Sequence, residues 1–86
     1  MNDLVIEQKI RNMFYYETQF VLTSTKDHYA LGYKVVSVHY NQDMTIGLCI
    51  EYTKAPEQTH CLDYSSKAAI THIIDFINEG YTLTIK

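Results

Sequence analysis

From residue 44 to residue 53 two kinds of side chain take strict turns, with Met44, Ile46, Leu48, Ile50 and Tyr52 on one side and Thr45, Gly47, Cys49, Glu51 and Thr53 on the other. Period two is the period of a pleated strand, so this segment belongs to a sheet with one buried face. A pairing strand must obey the same parity, because a slip of one residue turns every side chain to the wrong face. Residues 33–40 supply that strand. With a three-residue connection at 41–43, Tyr40 faces Met44, Val38 faces Ile46 and Val36 faces Leu48; a two-residue loop sets Tyr40 against Thr45 and mixes the faces. The other face then carries Tyr33, Val35, Ser37, His39, Thr45, Cys49 and Glu51.

A one-sided sheet needs a cover, and the chain holds two amphipathic segments. In the second, residues 66–79, Ile70, Ile73, Ile74 and Ile77 form one stripe. Ser65 or Ser66 caps its start, and Gly80 supplies the left-handed turn that ends it. The first segment begins at Asp3 with Asn2 or Asp3 as cap and puts Ile6, Ile10, Met13 and Phe14 on one side. Glu7 and Arg11, four apart, add a supporting pair. Residues 15–24 read as a strand with Phe20 and Leu22 on one face and Gln19, Val21 and Thr23 on the other. The polar residues Thr25, Lys26, Asp27 and His28 read as a turn, with Gly32 as a bulge before the next strand. Pro56 marks residues 54–58 as a loop, since proline cannot donate to a ladder. A short strand at 59–63 and a final one at 81–85 complete the order α-β-β-β-(β)-α-β.

The expected fold is therefore α+β, a two-layer sandwich of four to five mostly antiparallel strands with two helices on one face. If the short strand and the last are parallel neighbours, the second helix is their right-handed crossover. A chain of 86 residues has room for one core, so residues 1–86 form a single domain.

Charge narrows the partners. Seven basic against ten acidic residues give a net −3, with a single Arg, Arg11, and no run of like charge. Nothing in that balance draws the chain to phosphate backbones or anionic membranes. The first residues lack the basic and apolar regions of a secretion signal, and no apolar run approaches a membrane span of ~18 residues. The expectation is a soluble, cytoplasmic protein. Cys49 and Cys61 are then expected as buried thiols, since two widely spaced cysteines make no disulfide framework and the cytosol is reducing.

Several residue groups contain chemistry in principle. His60, Cys61 and Asp63 are metal-ligand types, but their spacing fits no recurring zinc motif and only Cys49 remains as a further Cys. A strand cysteine beside a surface histidine accounts for them, so no metal or cofactor is expected. His72, Asp75 and Glu79 fall together on the face opposite the isoleucine stripe and read as a solvated surface. His39 and Cys49 share the outer sheet face, yet the register sets Cys49 opposite Val35 and His39 opposite Thr45, too far apart for a nucleophile pair. No phosphate loop, nucleophile elbow or HExxH helix occurs.

Function follows by weighing classes. Tyr33, Val35, His39 and Glu51 make the outer face more apolar and aromatic than a merely solubilising surface, and they are the expected partner-binding residues of a non-enzymatic module that docks on a larger protein. In size, mild acidity and its eight tyrosines the chain resembles small phage-encoded inhibitors of host defence proteins, anti-CRISPR proteins among them; the resemblance is one of composition and no motif residues carry it. A single-stranded RNA or DNA binder stacking bases on Tyr33, with Tyr15 or Tyr81, is the alternative from another class, weakened by the scarcity of Arg. A small enzyme or ligand-binding subunit is the third. Self-association through an edge strand is compatible with each.

Overall fold

The computed structural model describes residues 3–86, the side chain of Tyr29 aside, and contains two α-helices and one five-stranded sheet among them. The order is α1 (Asp3–Tyr15), β1 (Phe20–Asp27), a 3-10 turn (Tyr29–Leu31), β2 (Tyr33–Tyr40), β3 (Ile46–Tyr52), β4 (Ala55–Tyr64), α2 (Ser66–Asn78) and β5 (Thr82–Ile85). Every pairing is antiparallel, and the strands lie in the order β4-β3-β2-β1-β5. The fold is the expected α+β sandwich, with the expected place of Asn2 as a helix cap lying outside the described residues.

Both helices cover the same face. Ile6, Ile10 and Met13 of α1 and Ala69, Ile70 and Ile73 of α2 meet Phe20, Leu22, Val36, Val38, Ile46 and Leu48 of the sheet in one buried cluster. Ile74 and Ile77 of the predicted stripe pack against it half-buried. Ser65 caps α2 by accepting from the Ala68 amide at 3.2 Å.

Four expectations are corrected. The β2–β3 connection is residues 41–45 rather than 41–43: Tyr40 pairs with Ile46, Val38 with Leu48 and Val36 with Ile50. Parity survives the shift by two, which is why the faces of residues 46–52 hold although partners change; Met44, expected on the buried side of the strand, lies in the loop and is exposed. Hydrogen bonds within the turn, Met44 N–H to Asn41 C=O at 3.2 Å and Asn41 N–H to Thr45 C=O at 3.1 Å, use up the extra residues.

Residues 25–27, expected in a turn, extend β1. Where the β1–β2 register slips between Thr23 and Asp27, the buried Ser24 hydroxyl accepts from the Lys34 amide and donates to the Lys26 carbonyl, each at 3.0 Å. A side chain there replaces the missing ladder bonds.

Residues 54–58 are mostly strand. Because β4 is an edge, Pro56 is tolerated in it. It sits in a wide irregularity where residues 56–59 stand against Glu51 alone.

Finally, β4 and β5 are not neighbours. They occupy opposite edges, and α2 carries the chain across the whole sheet between them.

Candidate functional site

The sheet face away from the helices has no covering element among the described residues. In successive rows it presents Thr82, Thr23, Val35 and Glu51; Thr84, Val21, Ser37, Cys49 and Cys61; and His39, Gly47 and Asp63. All four expected partner-binding residues lie on it. Val35 and Glu51 are direct cross-strand partners, whereas His39 and Tyr33 stand at opposite ends of β2. Tyr33 is 47% exposed.

Near His39 this face closes into a polar knot. The Asn41 amide nitrogen donates to Asp63 Oδ1 at 2.9 Å and to Thr45 Oγ1 at 3.0 Å, and the Thr45 hydroxyl and amide both donate to Asp43 Oδ1. Those donors hold the Asp43 carboxyl below its usual pKa. His39 Nε2 lies 3.3 Å from Ser37 Oγ, a contact within its own strand.

The cysteines overturn the expectation of free thiols. Cys49 and Cys61 are direct cross-strand partners with Cα atoms 4.0 Å apart, and they form a disulfide between β3 and the edge strand β4. Their spacing was uninformative until β4 was known to reach back alongside β3. Register also corrects the neighbours of Cys49, which faces Ser37 and not Val35, while His39 faces Gly47 and not Thr45. His60, paired with Ile50, is on the helix side of β4; Cys61 and Asp63 are on the other. Among the described residues no group of three or more His, Cys, Asp or Glu could hold a metal ion.

His72 packs against Tyr64 with ring centres 4.5 Å apart and planes tilted by 48°, which engages the imidazole in packing. Of the other proposed stacking residues, Tyr81 packs on Phe76 at 4.9 Å beside the core, and Tyr15 ends α1, so neither joins Tyr33 on the outer sheet face. The paired rows of that face hold Asp27, Glu51 and Asp63 and, among the described residues, no Lys or Arg.

A second surface was not foreseen. At the end of the sandwich where α1 stops and the β2–β3 loop turns, a cavity of about 450 Å³ opens between Phe14, Tyr15, Glu17, Tyr40, Met44 and Ile46, with Asn41, Gln42, Thr45 and Ser66 completing the wall. Tyr15 is 80% exposed and Met44 84%, and Tyr16, 75% exposed, stands edge-on to Tyr15 at 5.0 Å. Inside, Phe14 and Tyr40 meet edge to face at 5.9 Å. The Tyr40 hydroxyl donates to the Thr18 carbonyl at 2.6 Å, and burial together with the Glu17 charge pushes its pKa up to about 12.

The mark of this site lies in the backbone, not in a motif. Among the described residues only Glu17 (φ 50°) and Met44 (φ 70°) are non-glycine residues with positive φ, and both line the cavity.

Compared with protein-family models, curated proteins and solved structures, the chain matches none. The candidate surfaces therefore stand on their geometry. Among the described residues no helix is long and apolar enough to cross a membrane.

Proposed function

We propose that the chain is a non-enzymatic protein-binding module that acts by occupying a surface of a larger protein. The observation that carries this reading is that Tyr15 and Met44, both more than three-quarters exposed, line one concavity, with the exposed Tyr16 edge-on to Tyr15. Exposed aromatic and methionine side chains beside a recess are the usual anchors of a protein interface. Tyr33, Val35, His39 and Glu51 on the outer sheet face offer a second contact area. A phage-type inhibitor of a host defence protein, such as an anti-CRISPR, is one concrete form, supported by size, mild acidity and tyrosine content.

Affinity capture tests the module. A stoichiometric protein should be retained by the wild-type chain and lost with Tyr15→Ala combined with Met44→Ala, both at exposed positions whose truncation leaves the core intact. If the outer sheet is the interface instead, Val35→Asp releases the partner and the double variant does not. Retention of nothing stoichiometric would sink the reading.

Self-association is a second form, supported by the place of β5 at a sheet edge. Cytoplasmic action is part of the inhibitor form, and it requires that the domain keep its fold with Cys49 and Cys61 reduced.

A further inference from the structure

The two helices end in the same way. After α2, the Tyr81 amide donates to the Phe76 carbonyl and the Gly80 amide to the Ile77 carbonyl, each at 3.0 Å, with Gly80 left-handed at φ 100°. After α1, the Thr18 amide donates to the Met13 carbonyl at 2.8 Å and the Glu17 amide to the Phe14 carbonyl at 3.1 Å, with Glu17 in the left-handed position. This is the Schellman cap, whose left-handed residue is usually glycine. One cap follows that preference, and the other puts a glutamate where a side chain is unfavourable.

Met44 repeats the pattern in the β2–β3 loop, where a left-handed residue closing the turn is ordinarily Gly or Asn. Both exceptions face the same cavity. Strain of this kind persists where the side chain has a use, and an observed outlier is a legitimate start for a functional hypothesis.

The chemistry of the wall indicates the use. Phe14, Tyr15 and Tyr40 offer aromatic surface, Met44 a polarisable thioether and Glu17 a carboxylate, and among the described residues no Lys or Arg lines the space. Asn41 donates through its amide nitrogen to Thr45 and Asp63, which leaves its carbonyl oxygen as an acceptor. Aromatic faces, a carboxylate and neutral acceptors with no opposing cation complement a planar cation with several donors. We infer that this cavity binds the guanidinium of an arginine side chain presented by a partner protein, with Glu17 as its counter-ion. The inference rests on the protein-binding reading for its biological sense, but the cavity can be tested without any partner.

N-acetyl-L-arginine methylamide, titrated into the isotopically labelled protein at low salt, should shift the resonances of Tyr15, Tyr40, Thr45 and the Met44 methyl with millimolar affinity. The uncharged citrulline analogue should shift none of them. Glu17→Gly removes the counter-ion and relieves the left-handed strain, so this variant should fold at least as stably as the wild type while binding the arginine probe about fivefold more weakly. Glu17→Gln should weaken binding equally without the gain in stability. Absence of cavity shifts with the arginine probe, equal response to the citrulline analogue, or unchanged binding by the folded Glu17→Gly protein would each overturn the assignment. A failure here would leave partner capture as a separate question, and capture of a partner whose contact needs no arginine would refute this inference alone.

Discussion

Tyr40 shows how one side chain joins the helix layer to the sheet. It starts from the end of β2, packs edge-on against Phe14 and caps the loop after α1 through the Thr18 carbonyl. Because its folded pKa is raised, the neutral phenol is the form that the fold favours; its contribution is fully present below the ordinary tyrosine pKa of about 10 and is lost as pH rises toward about 12. Equilibrium unfolding followed across the alkaline range should therefore show a fall in stability above about pH 10 that is diminished in Tyr40→Phe. At neutral pH the same variant should be less stable by about 1–2 kcal/mol, since it strips the Thr18 carbonyl of a donor. Gly32 makes a sharper case. Its φ of 82° with ψ of −155° belongs to a region essentially reserved for glycine, and an added Cβ would collide with Thr53 Oγ1, the acceptor of the Tyr33 amide. Gly32→Ala should cost about 1–3 kcal/mol in a denaturant titration, more than alanine at an unstrained loop site.

At the scale of elements, the parts legible from the chain were those with a long period and a clear stop. The isoleucine stripe of α2 lies between Ser65 and Gly80, and β2 emerged at residues 33–40 as expected, because alternation and caps are local signals. The length of β4 was hidden because Pro56 speaks against a strand unless the strand is known to be an edge, a property of the whole sheet. The disulfide was hidden for the same reason: Cys49 and Cys61 become partners only once β4 folds back along β3. The cavity left no motif at all. Glu17 and Met44 stand where local preference asks for glycine, and only the backbone shows that. Since the bridge closes a loop with a sequence separation of 12 residues, replacing both cysteines by serine should lower stability by about 2–3 kcal/mol on the loop-entropy scale. Chemical denaturation of the double variant would check this. Hydrogen exchange should show the loss of protection concentrated in β4, none of whose residues is among the buried members of the core cluster.

For the whole molecule the question is which face meets the outside world. The helix layer covers the middle of one side of the sheet and leaves Leu62 and Ile85 at its edges more than half exposed, while the outer face has no covering element among the described residues. If β5 pairs with its twin, light scattering after size-exclusion chromatography should give a dimer of twice 10.0 kDa. Thr84→Lys, which brings like charges together across such a seam, should then return it to the monomer. A wild-type monomer at high concentration would remove the edge from consideration and leave the cavity and the outer sheet face as the candidate surfaces.

The two margins of the sheet are unequal in a way that bears on how far any assembly can grow. β4 presents a proline and a four-residue irregularity at 56–59, while β5 is regular and short. A strand docking on β4 loses its ladder partway along, so that side terminates pairing. With a single usable margin per copy, symmetric joining consumes both margins at once and leaves nothing to extend. Were copies to join edge to edge, the break in β4 that made this segment unreadable as a strand would also guard against endless sheets, and one residue, Pro56, would bound the size of the assembly.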